Sequence, residues 1–153
     1  MPGPGRRTIT VSETIHVERS PDVVFDYTQD YATRTEWDDQ IATAEVVSED
    51  PRRARITARG LGTFTLEYRL FRRGDRTSAA FLDLENAFFS GGGGSWRYEP
   101  RDGGTDWTET NTLELRRPRL FGWLAPLVEW NLRSGTRRAM ARAKAIMESR
   151  PGA

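Results

Sequence analysis

The chain has no cysteine, one histidine, one lysine and no apolar run long enough to cross a bilayer. Without cysteine, disulfides, CxxC redox chemistry and thiolate zinc sites are excluded. Any Ser-His-Asp triad would have to use His16, yet no GxSxG elbow accompanies it, and HExxH zinc chemistry needs a second histidine. His16 shares a strand face with Thr10, Ser12 and Thr14 and reads as a surface residue. No metal and no cofactor are expected. The longest apolar stretch, Leu120 to Leu132, is too short for a membrane span and contains Glu129. The opening MPGPGRRT has no apolar segment after its arginines. It is read as a disordered lead-in over residues 1–7 rather than a secretory signal, with a short tail at 150–153 and a cytoplasmic location as the default. A net charge of +1 gives no basic face for nucleic acid. The arginines after Glu129 read as a solvated helix face.

With 153 residues, the chain fits one domain over residues 8–149, large enough to bury ~70% of the surface its unfolded form exposes. Ile9, Val11, Ile15 and Val17 alternate with polar residues, the period of a half-buried strand. Ser20 can cap a helix that has Pro21 at its first position and Asp22 in its first turn. Asp22, Asp26 and Asp30 share one stripe of that helix and read as solvated rather than cation-binding. A short second helical turn ends near Trp37. Strands follow near Ile41–Ser48, Arg53–Ala58, Thr63–Phe71, Thr77–Leu84, Phe88–Tyr98 and Thr105–Leu115, separated by turn formers such as Gly74-Asp75 and Asp102-Gly103-Gly104. Links this short make an antiparallel meander.

From Leu120 the period becomes 3.6, with Val128, Leu132, Gly135, Ala139, Ala143, Ile146 and Met147 on one face. Gly135 costs ~1 kcal/mol against Ala in a helix interior. It calls for a reason, either close helix–sheet packing or room for a ligand. The run Gly91 to Gly94 is followed by a strand pattern, not a helix, which argues against a phosphate loop and for a bulged or frayed strand that could also move at a cavity mouth.

In this order the chain resembles the SRPBCC superfamily, which includes START domains, the birch pollen allergen group and polyketide cyclase/dehydrase-like proteins. The carrying residues are Ser20 to Phe25 with Glu36-Trp37, Ser95 to Pro100 with Gly104-Thr105, Leu113 to Leu115 and the last helix. The resemblance spans about Thr8 to Ser149. It implies an α+β helix-grip fold, a curved antiparallel sheet of about seven strands wrapped around a long C-terminal helix, with an apolar cavity between them for a hydrophobic small molecule. Such families hold both binders and enzymes, so fold alone does not choose a reaction.

With Phe64, Leu66, Tyr68 and Leu70 set toward the cavity, the matching faces of the next strands are Leu82, Leu84 and Asn86; Phe88, Ser90, Trp96 and Tyr98; and Trp107, Glu109, Asn111, Leu113 and Leu115. The helix adds Val128, Leu132, Gly135 and Ala139. Glu109 and Asn111 either meet the cavity or twist out into water. A carboxylate in an apolar cavity has a raised pKa and can act as acid or base; the plainer outcome is a rim-exposed or Arg-paired Glu. Trp37 is expected either to close one end of the cavity or to serve packing alone. Trp130, with Leu120, Phe121, Trp123 and Leu127, forms an apolar and cationic patch that fits a ligand portal, a homodimer contact or a transient membrane contact, unless a loop covers it. The leading expectation is a binding protein for a lipid, polyketide or aromatic metabolite, without nucleic-acid partners or stable membrane insertion. An aromatase/cyclase-like enzyme using Tyr68, Arg97, Glu109 or Asn111 is the alternative, and a protein-interaction module the third.

Overall fold

Alternating side chains form β1 (Arg7–Val17), and the chain then turns at Ser20 into α1 (Pro21–Thr28). The Ser20 hydroxyl accepts the Val23 N–H at 3.4 Å, with Pro21 at a position that needs no donor. A second turn, α2 (Arg34–Trp37), leads into β2 (Ile41–Glu49), β3 (Arg52–Ala58), β4 (Gly62–Arg72), β5 (Arg76–Phe81), β6 (Phe89–Arg101) and β7 (Gly104–Leu115). A short α3 (Pro118–Phe121) and a 3-10 turn precede α4 (Ala125–Ser149). This computed structural model describes residues 7–151. Except for Arg7, which opens β1, the expected lead-in lies outside the described residues, as do residues 152–153 of the tail.

The strands form one antiparallel sheet in the order β1-β7-β6-β5-β4-β3-β2, so first and last strands pair and β1 and β2 are the edges. This is the helix-grip fold, with α4 held across the concave face and packed most extensively along β1. The inward face of α4 carries small residues: Gly135, Ala139 and Ala143 are all buried. Beside them a charged seam ties helix to edge strand, Glu13 accepting from Arg133 at 2.7 Å and lying 3.1 Å from Arg137. Glu13 occupies the inward period of β1 and faces Glu109 across the strand pair.

Two strand ends differ from the sequence reading. β5 stops at Phe81 because polar side chains hold the next segment as a loop. Asp83 accepts the Thr65 N–H and hydroxyl, and Asn86 accepts the N–H groups of Phe88 and Phe89. β6 is bulged between Phe89 and Gly91, which reverses side-chain parity at its start. The glycine run is not frayed. Gly91 to Gly94 pair with β7, and Gly93 and Gly94 with β5 as well. Asp22 and Asp26 of the acidic stripe converge on the Arg73 guanidinium. No helix among the described residues is long and apolar enough to cross a membrane.

Candidate functional site

A cavity of about 220 Å³ lies between α4 and the sheet. The sheet supplies Ile56 and Ala58 of β3, Phe64 and Leu66 of β4, Phe81 of β5, and Phe89 and Trp96 of β6. From β7 come Glu109, Asn111 and Leu113, and from α4 Val128, Leu132, Thr136 and Ala139. The exposed Arg59, Gly60 and Asn131 form part of its rim. Part of the sheet wall is bare backbone at Gly93 and Gly94, and the Trp96 ring lies across Gly94, where a Cβ would meet it at 2.9 Å. The lining is largely aromatic and aliphatic, as in small-molecule pockets.

The polar groups of the lining gather around one buried guanidinium. α2 places Arg34 so that Nε and Nη2 both lie 3.2 Å from Asp38 Oδ2, with Nη2 3.7 Å from Glu109 Oε1. Its guanidinium sits 4.4 Å from the Trp37 ring centroid and about 6 Å from those of Tyr31 and Trp96, a cation–π setting that replaces lost water. Burial opposes the Arg34 cation, but Asp38 and Glu109 hold its pKa above the ordinary guanidinium value. Asn111 Nδ2 donates to Glu109 Oε1 at 3.4 Å and to Thr136 Oγ1 at 3.1 Å, linking β7 to α4. Burial raises the Glu109 pKa, Arg34 opposes that shift, and Asp38 adds to it. The buried Trp96 indole N–H faces Glu109 without reaching hydrogen-bond geometry.

Glu109 is therefore both Arg-paired and cavity-lining, outcomes the sequence reading set apart. Of the expected lining, Phe64, Leu66, Trp96, Glu109, Asn111, Leu113, Val128, Leu132 and Ala139 do reach the cavity, whereas Leu70, Ser90 and Leu115 lie outside it. Tyr68, Tyr98 and Trp107 share its face of the sheet but lie under the helix pair. Tyr98 bonds to Thr28 and Gln29, Tyr68 to Tyr31 and Gln29, and Trp107 packs edge-on against Trp37 at 5.6 Å. Trp37, 1% exposed, sits behind Arg34 rather than in the lining. Leu82 is exposed because β5 turns Thr77, Ala79 and Phe81 inward, and Phe88 because the bulge in β6 reverses parity; Phe81 and Phe89 line the wall. Leu84 is buried outside the lining, and Asn86 serves its loop, donating to the carbonyls of Gly60 and Leu61. Gly135 is filled by neither sheet nor open space: a Cβ there would fall 1.6 Å from the Gln40 amide, whose side chain lines the cavity. Arg97 points outward and meets Glu99 at 3.3 Å.

The sequence reading missed Arg34, Asp38, Gln40 and Thr136. Thr136 was within reach, four residues beyond Leu132 on the inward helical face. The Arg34–Asp38 spacing marks an i,i+4 pair, but such pairs are ordinarily solvated. Outside the cavity lining, Leu120, Trp123, Leu127 and Trp130 are each exposed, and Phe88 packs edge-on against Phe121 at 5.1 Å.

Similar folds carry this arrangement of sheet and helix. A protein of Thermus thermophilus superposes with a TM-score of 0.75 at 18% identity, covering 94% of this chain and 98% of that one. The Zhui aromatase/cyclase of a Streptomyces species gives 0.76 at 16% identity over 93% and 94% of the two chains. A START superfamily protein of Mycobacterium smegmatis gives 0.72 at 17% over 92% and 97%. No curated protein matches at the level of sequence. A family model matches residues 8–148, nearly the whole helix-grip unit, and on that match the chain belongs to the polyketide cyclase/dehydrase and lipid transport family.

Proposed function

We propose that this chain binds a hydrophobic small molecule, such as a lipid, polyketide or aromatic metabolite, between the sheet and α4. The observation that carries the reading is an apolar chamber into which polar groups converge from three separate elements, α2, β7 and α4. An apolar cavity of ~150 Å³ takes a benzene-sized guest. About 220 Å³ therefore suits a compact ring system or short chain. Phe64, Leu66, Trp96, Val128, Leu132 and Ala139 would hold its apolar body, and Glu109 and Asn111 its polar group. Native mass spectrometry of the purified chain is the test. An adduct of hydrophobic small-molecule mass, lost when Leu66→Trp fills the chamber, is expected; no adduct and no uptake of neutral hydrophobic probes would sink the reading.

The cyclase-like reading rests on Glu109, a buried carboxylate with a raised pKa facing the chamber. Its other candidates thin out, since Tyr68 and Arg97 lie outside the lining. Turnover of a poly-β-keto thioester that Glu109→Gln abolishes, with binding retained, would establish it. The interaction reading rests on the Trp123 and Trp130 patch, with a second copy of the chain as occupant. Sedimentation velocity on the native chain and on Trp130→Glu decides it, a dimer in the first and a monomer in the second being the supporting result.

A further inference from the structure

We infer that the cavity selects a neutral, hydroxyl-bearing ring compound and rejects carboxylates, because its buried polar groups carry excess negative charge and leave one donor open. The inference rests on the ligand-binding reading and deepens it. The ionisable groups buried in the lining are Arg34, Asp38 and Glu109, with side chains 7%, 8% and 4% exposed, so two carboxylates face one guanidinium. Both carboxylates already stand against that guanidinium, leaving no unmatched cation for a bound anion. The adjoining seam adds none, since Glu13 and Glu129 balance Arg133 and Arg137. Arg59 lies at the rim, exposed, where an ion pair is worth little.

Hydrogen bonding points the same way. The Trp96 N–H is buried in the cavity wall beside Glu109, its cross-strand partner, without forming a well-aligned hydrogen bond. A ligand hydroxyl that reaches this corner of the cavity can accept from the indole and donate to the carboxylate. A ligand carboxylate can accept but not donate, and it brings a like charge into a desolvated site. A pure hydrocarbon leaves the indole donor unmet.

The test uses the intact chain and calorimetric titration with naphthalene, naphthol and naphthoate, three guests of one shape. Naphthol is expected to bind about tenfold or more tighter than naphthoate at neutral pH. This comparison needs no variant. In Glu109→Gln the gap should fall below about threefold, chiefly because naphthoate gains. Naphthoate binding as tightly as naphthol to the native chain would overturn the inference, as would naphthoate binding that Arg59→Ala removes. Equal affinities for naphthalene and naphthol would leave the cavity standing and remove the hydroxyl from its recognition. Uptake of none of the three would instead overturn the ligand-binding reading beneath it.

Discussion

Two buried polar clusters sit side by side under the helices, and they are built on opposite plans. In the first, neutral groups form an unbroken chain from Tyr31 through Tyr68, Gln29 and Tyr98 to Thr28, which ends on the Val24 carbonyl. Burial raises the pKa of all three tyrosines, so they stay protonated and serve as hydrogen-bonding hydroxyls. In the second, Arg34, Asp38, Glu109, Asn111 and Thr136 mix charges, and the indole N–H beside them lacks a partner. The saturated cluster has no access to the cavity; the incomplete one lines it. The completed network ties the helix pair to the sheet and the incomplete one borders the cavity, although the Trp37 and Trp107 indoles under the helices also lack partners.

The comparison breaks most visibly at Gln29. Gln29→Leu removes the amide that bridges Tyr68 and Tyr98, and should cost about 2–4 kcal/mol in urea denaturation while leaving naphthol affinity per folded molecule unchanged. The converse holds at Trp96→Phe, where no hydrogen bond is lost on folding. Stability should drop by only about 1 kcal/mol, whereas naphthol affinity, followed by calorimetry, falls about tenfold. Glu109→Gln sharpens the contrast through pH. Because burial holds the folded-state pKa of Glu109 above its unfolded value, its carboxylate penalises the fold little near pH 4 and fully once pH exceeds the folded value. The variant should therefore gain stability relative to the native chain between pH 4 and pH 8, and urea midpoints at the two ends check this. The smallest effect belongs to His16, outside both clusters. Its hydrogen bond to Asp106 raises its pKa, opposed by partial desolvation and aided by Glu18. That stabilisation is complete below about 6.5 and fades as pH climbs through the folded value. The imidazole should titrate above 6.5 by NMR, and His16→Gln should flatten the slight loss of stability between pH 6 and pH 8.5.

How far the sequence reaches follows from where strands keep their parity. On β4 and β7, regular alternation carries Phe64, Leu66, Glu109, Asn111 and Leu113 to the cavity as read. On β5 the run Thr77 to Phe81 has too little polar contrast to show which face is inward, and on β6 one bulge breaks the count, which no periodicity reveals. A second limit is that one face of a sheet can meet two different things. Tyr68, Tyr98 and Trp107 point the same way as Leu66 and Glu109, yet α1 and α2 cover them first. Arg34 was hidden for a chemical reason: an arginine in a short polar turn reads as solvated, and only tertiary structure brings Glu109 and three aromatic rings around it.

The glycine run gives the chamber an asymmetry of stiffness. Gly93 and Gly94, with Thr112, line both the cavity and a shallow groove on the outer face of the sheet, so a thin hydrogen-bonded ribbon separates them. Its glycines bring no rotamers with which to yield, and the ribbon is tied to β5 and β7 on its two edges. Val128 and Leu132, half-buried on the opposite side, have such freedom. Guests of different outline would be accommodated by rearrangement along α4, against a surface that acts as an anvil.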